Sequence, residues 1–118
     1  MNKILIAIMI LVLTLTLGCA SSSELIVMKY QPMQCVQTEW EIWYAEGNIQ
    51  FIKAPTDSEF IIAYYNSVHN IELTEVKKVE SGNAVCEACG VCATSYYYTA
   101  KVKPSNLTKM TELKWTKI

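Results

Sequence analysis

Three cysteines fall within seven residues, Cys86-Glu87-Ala88-Cys89-Gly90-Val91-Cys92, with two residues between each pair. Such spacing crowds the sulfurs together whatever the backbone does, and few chemistries use it. Four thiolates, with Cys35 as the fourth, could hold a metal ion or an iron–sulfur cluster. A single Cys-x-x-Cys pair could serve as a thiol redox centre. Two structural disulfides would instead join Cys35 to one member of the run and the remaining two to each other. Four cysteines allow three connectivities, and spacing does not choose among them. The redox reading lacks the thioredoxin-like βαβ surroundings that give the motif weight. Compartment decides between the other two, because thiols meeting an oxidising environment pair unless a metal fills the site first.

The N-terminal residues address compartment. Lys3 gives a positive start, Ile4 to Leu17 form an apolar run broken only by Thr14 and Thr16, and Gly18 precedes Cys19. The run of ~14 residues is short for a membrane-spanning helix, which needs about 20, and reads as an export signal. Leu15-Thr16-Leu17-Gly18-Cys19 resembles the lipobox of prokaryotic lipoproteins, although that class usually has leucine at the position of Thr16 and a small residue at that of Leu17. The resemblance implies that the chain is cut before Cys19, whose thiol carries a diacylglycerol. The chain would then be anchored to the cell membrane, facing outside the cytoplasm. An ordinary secretory signal cleaved nearby is the alternative. Residues 1–18 are thus the signal, 19–24 a Ser-rich tether and 25–118 a single small domain. Cysteine arithmetic agrees with lipidation: of five cysteines, removing Cys19 leaves an even four. Disulfides among Cys35, Cys86, Cys89 and Cys92 are therefore the preferred reading, with the metal site on the same four residues as the alternative.

Composition narrows function further. All ten basic residues are lysine. From Cys19 onward nine lysines face eleven acids, a net charge of −2. Nucleic-acid binders carry a basic surface and favour arginine for forked phosphate contacts, so nucleic acid is not an expected partner. The sequence holds no HExxH, no Gly-rich phosphate loop and no nucleophile elbow. No cofactor is implied, and neither a protein nor a small-molecule ligand can be named. His69 is the sole histidine and reads as a helix-end residue, where the dipole favours a cation.

The elements that must position the cysteines follow from pattern. Glu24 to Tyr30 is apolar and β-branched, a strand ending before Pro32. Thr38-Glu39-Trp40-Glu41 has capping-box form, predicting a helix from Glu39 to Glu46 that Gly47 terminates. Trp40, Trp43 and Tyr44 share a face of it; such rings can stack on a sugar, but filling the core is the simpler use. Ile49 to Ala54 reads as extended. Thr56-Asp57-Ser58-Glu59 is a second capping box. It opens a helix whose stripe is Phe60, Ile61, Tyr64, Tyr65 and Val68, with Asn70 as its cap. Ile71 to Glu80 is a strand whose alternation slips between Leu73 and Val76, which predicts a bulge or a late start. Ser95 to Lys103 alternates cleanly, with Tyr96, Tyr98, Ala100 and Val102 on one face. After Pro104 a short helix presents Leu107, Met110 and Leu113, and Trp115 to Ile118 could add a closing strand. Asn106-Leu107-Thr108 is a glycosylation sequon, a triplet that also arises by chance.

The order β, α, α, β, β, α and a terminal β predicts an α+β sandwich. In it an antiparallel or mixed sheet carries helices on one face, and the chain path is of the split β-α-β, ferredoxin-like kind. That path makes the first two strands parallel. Cys35 just beyond the first and the cysteine run just beyond the second would then meet at one end of the sheet. The function this supports is an extracytoplasmic, lipid-anchored binding or structural module. The alternative is a metal, iron–sulfur or thiol redox protein.

Overall fold

The computed structural model describes residues 24–82, 86 and 89–118. The export signal, Cys19 and most of the tether lie outside the described residues. Four strands form one antiparallel sheet: β1 (Ile26–Tyr30), β2 (Thr74–Glu80), β3 (Tyr96–Val102) and β4 (Thr116–Lys117), in the spatial order β2-β3-β1-β4. Among the described residues three helices accompany it: α1 (Glu39–Ala45), α2 (Asp57–His69) and α3 (Leu107–Glu112), the last entered through a 3₁₀ turn at Pro104–Asn106. The fold is α+β.

β3 is antiparallel to both of its neighbours, with Tyr30 opposite Tyr98 on one side and Glu80 opposite Tyr96 on the other. β1 and β2 are therefore parallel to each other and end beside the start of β3. This is the split β-α-β arrangement, with α1 and α2 both placed in the first crossover.

Both capping boxes form. The Thr38 hydroxyl accepts from the Glu41 N–H, and the Glu41 carboxylate accepts from the Thr38 N–H at 2.7 Å. Thr56 and Glu59 repeat the exchange at the head of α2. Each satisfies backbone donors that the first helical turn leaves without partners. α2 ends on Asn70 in the left-handed region, which asparagine tolerates better than most residues.

The slip in β2 takes both of the forms it could have taken. The strand starts late, at Thr74, and the register shifts between Thr74 and Lys77, with Glu75 at φ 49°. The extra residue returns Val76 to the buried face. Ile49 to Ala54 does not form a strand. The four-stranded sheet leaves this segment no partner strand, and Ile52 is fully exposed.

The core is aromatic and continuous. Met28, Ile61, Tyr65, Ile71, Val102, Met110 and Trp115 are its most completely buried large side chains. Trp40 sits between Tyr30 and Tyr98, and the Trp115 Nε1–H donates to the Tyr65 hydroxyl at 2.8 Å. Buried residues from all three helices join one cluster with Met28, Tyr98, Ala100 and Val102, so the helices cover one face of the sheet. Two stripe residues depart from expectation. Tyr44 turns outward, packing on Phe51 and Phe60, and Val68 lies 47% exposed in a groove shared with Ile42 and Trp43. Seven residues make only two turns of α1, too few to cover the flank of the longer α2.

Candidate functional site: the cysteine end

The shared end of β1 and β2 gathers the cysteines. Beyond β1 the chain keeps partial pairing with the segment entering β3. Met33 bridges Ala93, Gln34 N–H donates to Cys92 O at 2.9 Å, and Gly90 N–H donates to Gln34 O at 2.8 Å. Gln31 reinforces this seam through its side-chain amide, which donates to the Thr94 hydroxyl and to Tyr96 O. Both Cys35 and Gly90 take positive φ, 60° and 81°, so the two backbones turn sharply where they face each other.

Two disulfides close this end. Cys35 pairs with Cys89 at a Cα–Cα distance of 5.2 Å, and Cys86 pairs with Cys92 at 6.1 Å. Both separations are ordinary for a bridge. Of the three open connectivities the structure has one. It follows from the seam: pairing Gln34 with Gly90 and Cys92 places Cys35 beside Cys89, leaving the outer two cysteines to each other. All four sulfurs are in S–S bonds, whereas a metal ligand or nucleophile must be a thiolate. Among the described residues no group of three or more His, Cys, Asp or Glu side chains is placed to hold a metal ion.

A shallow cleft of about 300 Å³ lies against the Cys35 bridge, between the 32–38 segment and the start of β3. Met33, Cys35, Thr38, Glu41, Tyr96 and Tyr98 contribute to its wall. Several of its polar groups are engaged within the protein. Glu41 accepts from both the Thr38 N–H and hydroxyl, and the Tyr98 hydroxyl donates to Asp57 at 3.2 Å. Nearby, the Lys78 ammonium lies 4.0 Å from the Tyr96 ring and 3.6 Å from Asp57. Burial, and then the nearby Asp57 carboxylate, push the Tyr98 phenol well above its ordinary range, so it stays a neutral donor. No buried side-chain nitrogen or oxygen among the described residues lacks a hydrogen-bond partner.

His69 closes the last turn of α2, as read from the sequence. Its Nε2 lies 3.2 Å from the Tyr64 hydroxyl, which donates to Glu39 at 2.9 Å, and its backbone carbonyl accepts from Lys109. The Tyr64 phenol is pushed up to about 12 by burial and by its bond to Glu39. This Glu39–Tyr64–His69 chain ties α1 to the end of α2. Sequence reasoning did not find it, because the contact depends on how the two helices cross.

No protein-family model, no curated protein and no solved structure matches the chain.

Proposed function

We propose that the protein is a lipid-anchored, extracytoplasmic binding or structural module rather than an enzyme. The observation that carries this reading is the pair of disulfides, Cys35–Cys89 and Cys86–Cys92, on a small domain. Bridges of this kind persist where the surroundings are oxidising. With those four cysteines paired, Cys19 is the odd one, directly after Leu17-Gly18 in a lipobox-like segment. No helix among the described residues is long and apolar enough to cross a membrane, and in this reading attachment rests on the Cys19 lipid. One acyl chain holds a protein only marginally, and a two-chain diacylglycerol holds it stably. In the cleft beside the Cys35 bridge, Thr38, Glu41 and Tyr98 spend their hydrogen bonds within the protein, which suits a braced surface better than a reaction centre.

Cys19→Ser in the full chain tests the anchor. The expected result is loss of the protein from the membrane fraction or accumulation of the uncut precursor, with the disulfides intact. Unchanged processing and membrane association would overturn it. A thiol count on the membrane-associated protein under denaturing, non-reducing conditions tests the rest. It should find no free thiol among Cys35, Cys86, Cys89 and Cys92, whereas four free thiols after chelation would favour the metal or redox class.

A further inference from the structure

The sheet has two unlike faces. Met28, Tyr98, Ala100 and Val102 point into the core beneath the helices. By alternation and register, Val27, Lys29, Lys77, Tyr97 and Lys101 share the other face, on which no described element packs. Lys29 lies over the Tyr97 ring at 4.2 Å, and Lys101 pairs with Glu75 at 2.8 Å. At the margin Lys103 pairs with Glu72 at 3.5 Å. Four lysines against two glutamates give this side a net +2.

The helix side is the reverse. α1, α2 and their caps carry Glu39, Glu41, Glu46, Asp57 and Glu59 and no lysine. A chain that is acidic as a whole therefore carries a net positive charge on the uncovered side of the sheet and a net negative charge along α1 and α2. That side also has an apolar margin. Leu25, Val27 and Ile118 are 40%, 39% and 68% exposed, and Ile118 N–H donates to Val27 O at 3.2 Å. This margin is at the start of β1, where the chain arrives from Cys19. Six residues separate Cys19 from Ile26, and the seven steps reach at most about 25 Å.

We infer that the uncovered sheet face lies against the anionic surface of the bilayer that holds the Cys19 lipid. In that pose Lys29, Lys77 and Lys101 meet headgroup phosphates, and Leu25, Val27 and Ile118 enter the interface. The inference rests on the proposed anchor and adds an orientation to it: the helix layer and its acids face away. Charge complementarity selects the membrane as occupant, and the short tether keeps the face within reach of it. The amphipathic Tyr97 ring suits the headgroup level. Each positive charge near an anionic membrane favours the docked state roughly fivefold, so a net +2 favours it about 25-fold over neutral lipid. High salt removes the preference, since the screening length falls to about 3 Å at 1 M.

The test uses the processed protein reconstituted with vesicles of phosphatidylcholine alone, or of phosphatidylcholine with phosphatidylglycerol. Flotation on phosphatidylcholine reads the lipid by itself. Amine acetylation followed by peptide mass spectrometry reads the orientation. The expected result is flotation on both vesicles, with Lys29, Lys77 and Lys101 acetylated at least about fivefold more slowly on the anionic ones. Lys53 and Lys109 should react equally on both, and high salt should erase the difference. Failure to float on phosphatidylcholine overturns the anchor and this inference with it. Flotation with equal lysine reactivity on both vesicles overturns the docking alone. Protection on both vesicles that salt does not relieve means that a protein surface covers the face, and overturns it too.

Discussion

Two regions of the molecule are held by different physics. Beneath the helices, where β4 closes on β1, Trp115 is fully buried, its ring against Tyr30 and Tyr65 and its N–H bonded to the Tyr65 hydroxyl. In the loops beyond β1 and β2, Cys35, Cys86 and Cys89 are exposed, and among them Val91 is 73% exposed. Packing holds the first region, while covalent bonds and a short backbone seam hold the second. In a domain of about 100 residues the core is too small to cover the sheet and its loops alike. Burial is spent beneath the helices, and cross-links secure the loops that burial does not reach.

The largest way to break this contrast is Trp115→Ala. It should cost about 3–5 kcal/mol for the lost ring, and more because the Tyr65 hydroxyl keeps its burial but loses its donor. A urea titration reads it. A loss under about 1 kcal/mol would mean that the cysteine end carries the fold instead. Next comes the long bridge. Cys35→Ala with Cys89→Ala opens a separation of 54 residues and should cost roughly 4 kcal/mol on the chain-entropy model. Cys86→Ala with Cys92→Ala opens one of only six, for about 2 kcal/mol on the same model. Non-reducing peptide maps should show the untouched bridge intact in each variant. Equal losses from the two pairs would show that loop length does not govern this end.

Alkaline titration sharpens the comparison from the packed side. Burial is the leading cause that raises the phenols of Tyr64, Tyr65 and Tyr98, Tyr64 to about 12 and the other two further. A group raised in the folded state contributes stability that is whole below its unfolded value of about 10. That contribution is lost as pH climbs through the folded values. Stability should therefore hold up to about pH 10 and fall beyond it, with tyrosinate absorbance appearing together with the loss of structure rather than before it. Tyrosinate formed well before unfolding would mean that these rings are open to solvent.

Much of this molecule was legible in its sequence, and the legible parts were local. Two Thr-x-x-Glu boxes placed the starts of α1 and α2 because a capping box involves only four consecutive residues. Alternation from Tyr96 to Val102 named the buried face of β3, since successive side chains in a strand point to opposite sides. The slip between Leu73 and Val76 marked the bulge in β2. Even the meeting of Cys35 with the cysteine run followed from the order of elements, because that order makes β1 and β2 parallel. Tertiary structure decided what depends on three-dimensional neighbours. Ile49 to Ala54 has an extended pattern but no strand beside it, so it stayed irregular. Val68 fits its helical stripe, yet a two-turn α1 could not cover the flank of α2 on which it lies. The choice of Cys89 as the partner of Cys35 came from the backbone seam between Gln34 and Gly90, which no spacing rule encodes. The separation of charge between the two sides of the sheet was equally hidden, because it arises only when strand register gathers Lys29, Lys77 and Lys101, distant in the chain, onto one face.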